Sequence, residues 1–242
     1  NVDIAPGYKK FTIKSGQKYT NAKLPDQTYF VEGDASSASY FLAAAAMTGG
    51  DLTVVGCGSS STQGDVRFAE VLKDMGARIE MNPTNITVVG GPAKLKGVDV
   101  DCLDIPDAAM TLASVALVAE GTTTIRNVGS WRVKETERMK AIVAETSKFG
   151  ADVTEQPTTC IIKPPTEIKP MCEIETYDDH RIAMTFALAA CAGVPVKILD
   201  PGCTSKTFPT YFKELSRVTL DKDGRKRSSV RRLLAKLAFW KK

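Results

Sequence analysis

Three segments of this chain repeat one pattern at intervals of 72 or 73 residues. Each segment opens with an aspartate (Asp34, Asp107 or Asp179) and continues through an Ala-rich apolar run, a glycine and a β-branched stretch. The polar stretches that follow agree, since Lys134 and Lys206 also stand 72 residues apart. An interval this long exceeds the unit of a solenoid and indicates duplicated α/β modules.

The repeat predicts the same elements in each copy. An aspartate favours a helix N-cap, the Ala-rich run favours the helix itself, and a glycine ends it. The runs are apolar on almost every side, so we expect interior helices. Second helices are predicted at 65–75 and 136–149, and strands at 52–55, 78–81, 85–89, 122–126, 152–155, 159–163 and 196–199. The predicted fold class is therefore α/β, with three repeated βαβαββ units.

The net charge of +4 is unevenly distributed along the 242 residues. Positions 220–242 hold nine Lys or Arg and two Asp, which leaves 23 basic and 26 acidic residues in positions 1–219. A body with that balance has no general electrostatic footprint for nucleic acid. No apolar run approaches the ~20 residues of a membrane span. We therefore expect neither nucleic acid nor a membrane as a partner.

The cysteines argue against a metal site. None of the six forms a Cys-x-x-Cys pair, and His180 is the single histidine. Zinc frameworks need such close pairs. Several of the cysteines lie within apolar runs, where buried free thiols are common. We expect no metal, no disulfide and a reducing compartment.

We divide the chain into three parts. Residues 1–30 are predicted to end a preceding domain, 31–219 to form the three-repeat domain, and 220–242 to form a basic extension that is disordered or a short helix. A basic amphipathic helix at 230–240 would suit a membrane surface or a partner, but a frayed end without function is the favoured interpretation. The chain starts at Asn1 without a targeting segment. We expect it to be a piece of a longer protein.

Four cations cluster around the predicted helix starts. They are Lys134, Arg138, Arg181 and Lys206. A cation at a helix N-terminus is locally unfavourable, so a set of them at equivalent places in successive repeats predicts an anionic ligand. The alternative is that each is a solvated surface charge, as most lysines and arginines are.

The segment 131–138, WRVKETER, holds a carboxylate between cations. If a helix has begun there, Lys134 and Arg138 share a face, and Glu135 is kept ionised and able to exchange a proton beside a bound anion. The alternative is a capping turn with Thr136 or a neighbour as the cap. Capping is also the stronger interpretation of Asp107 on spacing alone.

The segment around the third aspartate leaves two roles open. His180 beside Arg181 is a candidate base, although a lone histidine is more often a structural hydrogen-bonder. Asp178 and Asp179 are expected mostly to cap the helix that follows.

Five segments resemble one known family. They are 31–41 (VEGDASSASYF), 106–111 (PDAAMT), 131–138 (WRVKETER), 177–181 (YDDHR) and 206–209 (KTFP). In this order they are similar to EPSP synthase, the enolpyruvyl transferase of the shikimate pathway. The resemblance runs from about Tyr8 to Val218, and segments such as 131–138 look closer to the plant and algal branch of the family.

The resemblance implies an enzyme of two domains, each built from three βαβαββ units around buried parallel helices. It implies the transfer of an enolpyruvyl group from phosphoenolpyruvate to shikimate 3-phosphate, through a tetrahedral intermediate and without metal or cofactor. The first domain, which supplies the facing half of the site, would be needed in cis, so this chain alone is expected to be inactive. A monomer is expected, in the plastid if the source is a plant or alga and otherwise in the cytoplasm.

Residue roles follow only from this resemblance. Asp107 would accept the proton of the attacking hydroxyl, and Glu135 would protonate the methylene carbon of phosphoenolpyruvate and later remove that proton. Ser130 and Lys134 would contact the shikimate substrate. The phosphoenolpyruvate anion would be bound by Arg138, Arg181 and Lys206, with Asp34, Asp179 and His180 as possible supporting residues.

Two other interpretations stay open. The nearest enzyme alternative is the sister transferase acting on UDP-N-acetylglucosamine, which shares the fold but lacks this set of motifs. The other is a truncated, catalytically inactive product or a ligand-binding module, since the second-domain residues are present while the first domain is not.

Overall fold

The computed structural model describes residues 2–18, 25–90 and 94–219. Its contacts divide the chain into two units, with the boundary between Glu32 and Gly33. The first unit contains an antiparallel pair of short strands, β1 (Asp3–Ile4) and β2 (Phe11–Thr12). The three-part division at 1–30, 31–219 and 220–242 stays a prediction, and the expectations for 220–242 lie outside the described residues.

The second unit alternates helices and strands. Its helices are α1 (Ala35–Thr48), α2 (Phe68–Asp74), α3 (Leu112–Val118), α4 (Arg138–Lys148), α5 (His180–Ala187) and α6 (Tyr211–Val218). Its strands are β3 (Leu52–Val55), β4 (Arg78–Met81), β5 (Asn85–Val89), β6 (Asp99–Asp101), β7 (Thr123–Arg126), β8 (Asp152–Glu155), β9 (Cys160–Lys163), β10 (Cys172–Ile174) and β11 (Val196–Ile198). The α/β class is confirmed, and every strand predicted from the sequence is present within one residue.

The strands form one sheet for each repeat. The first sheet has the order β3-β5-β4 and is antiparallel, and the second has the order β6-β7-β9-β8, in which β6 and β7 run parallel. The third is a parallel pair of β10 and β11. Among the described residues only the middle repeat shows the complete βαβαββ order. The first has a single backbone bond, Gly33 to Gly56, where its opening strand was predicted, and the described chain stops at Thr219 after α6.

Two of the three repeated aspartates cap their helices as predicted. The Asp34 carboxylate accepts from the backbone N–H groups of Ser36 and Ser37, and Asp179 accepts from the N–H of Arg181. The glycine predicted to end the first helix does so, because Gly49 adopts a left-handed φ of 68° and donates its N–H to the Ala45 carbonyl. Local sequence thus fixes the starts of α1 and α5 and the end of α1.

The first helices of the three repeats lie in the interior, as their apolar sequences predict. Nearly all of α1, α3 and α5 is buried. Hydroxyl groups join them: Ser39 and Thr111 are 2.8 Å apart, and the Ser114 hydroxyl donates to the Thr185 carbonyl. All six cysteines are free thiols. Among the described residues no helix combines the length and apolarity needed to cross a bilayer.

The Ser39–Thr111 pair provides a stability test. Ser39 donates its single hydroxyl proton to the Ser36 carbonyl at 2.6 Å, so Thr111 is the donor between the two hydroxyls. Ser39→Ala leaves a buried donor unpaired and should reduce the free energy of unfolding by about 1–3 kcal/mol in urea denaturation. Adding Thr111→Val to Ser39→Ala should lower the free energy of unfolding little further. Full additivity of the two changes would contradict the assigned bond.

Candidate active site

A buried arginine lies at the centre of the site. Arg138 begins α4, and its side chain is 1% exposed. Its Nε donates to Asp179 Oδ2 at 2.7 Å and one terminal nitrogen donates to Asp107 Oδ1 at 2.8 Å. The other terminal nitrogen donates to Glu135 Oε2 at 2.7 Å and to Asp179 Oδ1 at 3.3 Å. One guanidinium therefore holds three carboxylates that come from three separate segments.

Asp179 is the deepest of these carboxylates. Its side chain is fully buried, and it both pairs with Arg138 and caps α5 through the Arg181 N–H at 2.9 Å. A buried carboxylate is stable only when its oxygens are paired. Asp179 thereby fixes the start of α5 relative to the start of α4. The capping role predicted for it is confirmed, and the ion pair is an additional role.

Asp107 is surrounded by cations. Besides Arg138, its carboxylate faces Arg181 at 3.2 Å and Lys134 at 3.9 Å. The capping interpretation of Asp107 is wrong, because its side chain makes no capping bond to the turn of 3₁₀ helix at Ala108–Thr111. Asp107 already has helical backbone angles, with φ −82° and ψ −44°, whereas a capping aspartate is extended.

Glu135 bridges a buried and an exposed cation. Its two oxygens accept from Arg138 and, at 2.8 Å, from Lys206, whose side chain is 53% exposed. Burial alone would raise the pKa of Glu135, but the Lys206 hydrogen bond, its own backbone N–H and the charge of Arg138 outweigh burial and lower this pKa to about 2. The prediction of an ionised carboxylate between two cations holds, although the second cation is Lys206 rather than Lys134.

Lys134 does not share a helix face with Arg138. Its backbone is extended, with φ −98° and ψ −153°, and α4 begins only at Arg138. Glu137 is the cap, because it accepts from the Lys140 N–H, so the predicted capping turn is present with a neighbour of Thr136 in that role. Lys134 reaches the cluster through its contact with Asp107.

Glu135 and Lys206 open onto a cleft of about 640 Å³. The residues that line it are Glu135, Asp178, Asp200, Gly202, Cys203, Ser205 and Lys206. The 3₁₀ turn at Pro201–Lys206 begins where Asp200 accepts from the Gly202 N–H, and it carries Lys206 at its end. The side of the cluster that faces the cleft is therefore polar and exposed, while Arg138 and Asp179 close its inner side.

Two side chains that the sequence did not single out hold Asp107 in place. Trp131 is fully buried and donates its indole N–H to the Pro106 carbonyl at 2.6 Å. Asp65 accepts from the Ala108 N–H and from the Ser36 hydroxyl. Both peptide groups next to Asp107 are thus fixed by other segments. No spacing rule connects positions 65 and 108, so local pattern gave no signal for this contact.

Three candidate residues make no hydrogen bond to Arg138 or to the carboxylates around it. His180 is buried, and its pKa is lowered by burial and then by the charge of Arg181. Neither of its ring nitrogens has a hydrogen-bond partner among the described residues, so the geometry supports neither the base nor the hydrogen-bonding role. Ser130 is exposed on the turn at Gly129–Val133, and Asp34 lies at the exposed cap of α1. Their functional roles stay predictions.

Within the described ranges, no group of three or more His, Cys, Asp or Glu side chains is arranged to hold a metal ion. The acidic side chains that converge are instead neutralised by arginine and lysine.

The fold is that of an α/β domain of the enolpyruvyl transferase type. A solved EPSP synthase from Acinetobacter baumannii matches with a TM-score of 0.66 and 28% identity, over 78% of this chain and 46% of that one. The enolpyruvyl transferase NikO from Streptomyces tendae matches with a TM-score of 0.58 and 19% identity, over 76% and 42%. The second likeness is one of fold alone.

The chain belongs to the EPSP synthase (3-phosphoshikimate 1-carboxyvinyltransferase) family, whose sequence profile matches residues 1–215. It is 56% identical to 3-phosphoshikimate 1-carboxyvinyltransferase 2 of Nicotiana tabacum, over 90% of this chain and 64% of that protein. It is 57% identical to the chloroplastic 3-phosphoshikimate 1-carboxyvinyltransferase of Brassica napus, over 90% of this chain and 43% of that protein. It is 52% identical to the 3-phosphoshikimate 1-carboxyvinyltransferase of Escherichia coli O1:K1, over 88% of this chain and 48% of that protein. The chain spans about half the length of these relatives.

Arg138→Met should strongly destabilise the second unit, because it leaves the buried Asp179 carboxylate without its charged partner. Breaking a buried pair in this way costs about 3–5 kcal/mol, measurable as a lower free energy of unfolding in urea. Adding Asp179→Asn should recover part of the loss. Arg217→Met is the control, since its pair with Glu214 is exposed and should matter by less than about 1 kcal/mol. Equal losses for Arg138→Met and Arg217→Met would contradict the account.

Glu135 should make stability depend on pH in a defined window. Its pKa is lowered from 4.5 to about 2, so its contribution is complete above 4.5 and lost as the pH falls to about 2. Urea unfolding at a series of pH values should show a shallower decline over that window for Glu135→Gln than for wild type. Lys206→Met should raise the folded-state pKa of Glu135, so the decline should be smaller and should end at a higher pH than in wild type. Parallel pH profiles for wild type and both variants would rule out the ion pair.

Proposed function

We propose that this chain supplies one wall of a site that transfers the enolpyruvyl group of phosphoenolpyruvate to shikimate 3-phosphate. The observation that supports this most is the convergence of Asp107 and Glu135 on Arg138, with Lys206 at the edge of a polar cleft. Two carboxylates held at separate positions suit a reaction that moves two protons at two atoms. Cations between them suit substrates that carry several negative charges.

Asp107 is proposed as the base. It takes the hydroxyl proton of shikimate 3-phosphate as that oxygen bonds to the second carbon of phosphoenolpyruvate. Glu135 delivers a proton to the methylene carbon, which completes a tetrahedral intermediate. When the carbon–oxygen bond to phosphate breaks, Glu135 takes a proton back from the methyl carbon and the double bond forms again. Asp107 passes the proton that it took to the departing phosphate, so protons and electron pairs balance without a redox step.

The low pKa of Glu135 sets a condition on this scheme. A carboxylate with a pKa of about 2 carries almost no proton near neutral pH. A bound anion that draws Lys206 toward itself removes the hydrogen bond that lowers this pKa most. Glu135 then holds a proton more readily at the moment when the substrate is present. Substrate binding and proton supply are thereby coupled through one lysine.

The other cations differ in how readily they could bind a substrate anion. Lys134 and Arg181 are less buried than Arg138 and face Asp107, where a phosphate or carboxylate would compete for them. Four of the five N–H donors of Arg138 already bind carboxylates, so direct contact with the substrate anion stays a prediction for this residue. Ser130 and Lys134 are proposed for the shikimate substrate.

The remaining assignments concern the location of the protein and its assembly. Several plant relatives are named as chloroplastic enzymes, which supports a plastid location if this chain comes from a plant or alga. We also propose that the site is completed by a first domain in cis and that the protein acts as a monomer, with no nucleic acid or membrane partner.

The proton role of Glu135 is tested in a chimera that joins this chain to the N-terminal part of the Brassica napus relative. Glu135→Gln keeps size and hydrogen bonding but cannot cycle a proton, so turnover should fall by about 10²–10⁴-fold. Affinity for phosphoenolpyruvate should stay within tenfold, or ~1.4 kcal/mol. Phosphate release measures turnover. Glu137→Gln, two residues away, should remain active, and a Glu135→Gln chimera near wild-type turnover would end the assignment.

The same assay separates the alternatives. The chain without the added part should release no measurable phosphate, because one wall provides neither the facing contacts nor exclusion of water. Robust turnover by the chain alone would contradict the two-wall proposal. UDP-N-acetylglucosamine should not replace shikimate 3-phosphate as acceptor. A chimera inactive toward both acceptors would favour the inactive product or binding module.

A further inference from the structure

A second buried carboxylate lies on α4, away from the cleft. Glu145 is fully buried, and Lys148 donates to its Oε2 at 2.6 Å. The same oxygen accepts from the Glu175 N–H at 3.1 Å, while Oε1 accepts from the Tyr177 hydroxyl at 2.8 Å. Two of these three donors come from the segment between β10 and α5. A buried carboxylate whose oxygens are paired in this way holds its partners rigidly.

That segment has an unfavourable backbone. Tyr177 and Asp178 are consecutive and both left-handed, with φ of 55° and 54°. Residues other than glycine rarely adopt this conformation, and two in succession persist only where surrounding contacts impose them. The next residue is Asp179, which pairs with Arg138 and caps α5. A change in the turn would therefore move the start of α5.

Helix α4 holds this turn at two places. Arg138 and Glu145 are seven residues apart, which is two helical turns or about 10.5 Å along one face. Arg138 binds the Asp179 carboxylate at the end of the turn, and Glu145 binds Glu175 and Tyr177 at its beginning. Of the two strained residues, Tyr177 is itself bound by Glu145, and Asp178 lies between the two attachments.

We propose that Glu145 is a positioning residue that holds the 175–178 turn through Tyr177 and thereby places Asp179 and Arg181 for the cluster. It touches no substrate in this scheme, and its effect on the reaction rests on the proposed function. Burial, then the hydrogen bond and charge of Glu145, raise the pKa of Tyr177 to about 12, so the phenol remains a donor at neutral pH.

Amide hydrogen exchange on this chain tests the geometry without any activity. Tyr177→Phe removes only the hydroxyl. The Asp179 and Arg181 N–H groups, which bind the Thr176 carbonyl and the Asp179 carboxylate, should then exchange at least about tenfold faster. The increase should exceed any change in β4 and β5, whose exchange reports the stability of a part of the domain outside the turn. The proposal would be overturned if the amide exchange rates of Asp179 and Arg181 in Tyr177→Phe stayed within twofold of wild type.

Two further variants make the test specific to Glu145. Glu145→Gln should accelerate the same two amides, because an amide accepts more weakly from the phenol and carries no charge for Lys148. Glu173→Gln is the matched control, since it changes an exposed glutamate that pairs with Lys197 next to the turn. Equal acceleration in Glu173→Gln would overturn the proposal. If Glu145→Gln does not fold, Tyr177→Phe still decides it.

The chimera tests the effect on the reaction. Tyr177→Phe should raise the KM for phosphoenolpyruvate about tenfold and leave that for shikimate 3-phosphate within twofold, because Arg181 is proposed to bind the former. Faster exchange with an unchanged KM would overturn the positioning role. A chimera without turnover would contradict the proposed function and leave the exchange result to decide the role of Glu145 in holding the turn.

Discussion

The rest of the site depends on one guanidinium group that is almost completely removed from solvent. Arg138 has five N–H donors in a rigid plane, and carboxylates from three segments occupy that plane from different sides. Lysine could not replace it, because a single ammonium group cannot hold three carboxylates in fixed directions. The buried Asp179 and the more exposed Asp107 and Glu135 therefore have related orientations. Their common partner couples the second and third repeats.

The duplicated architecture explains why such an arrangement forms. Each repeat begins a buried helix at an aspartate, so the starts of equivalent helices come together when the helices pack side by side. Asp34 remains a cap, Asp179 combines capping with an ion pair, and Asp107 has exchanged the cap for contacts with cations. In the second repeat, the Ala108 N–H binds Asp65 of the first repeat instead of the side chain of Asp107. One repeated position has thus diverged into three chemical environments.

Local sequence predicted the elements well and the contacts less well. The predicted strands and the starts of α1 and α5 follow from β-branched runs and caps, which act within a few residues. The sequence predicted an ionised Glu135 between two cations but named the wrong second cation. The reason is that α4 starts later than the spacing suggested, and the cation that binds Glu135 is Lys206, 71 residues away in the sequence. Contacts such as Trp131 with Pro106, or Glu145 with Tyr177, depend on how separate segments pack. No periodicity or short motif encodes them.

Exposure divides the cations into fixed and exchangeable groups. Arg138 is 1% exposed and Lys206 is 53% exposed, yet both bind Glu135 at nearly the same distance. Releasing Arg138 would leave buried carboxylates unpaired, whereas Lys206 can leave Glu135 and be solvated or bind an anion in the cleft at little cost. Of the two cations that bind Glu135, Lys206 is therefore the one that can be exchanged. The buried arginine preserves the geometry while the exposed lysine allows the proton affinity of the carboxylate to change.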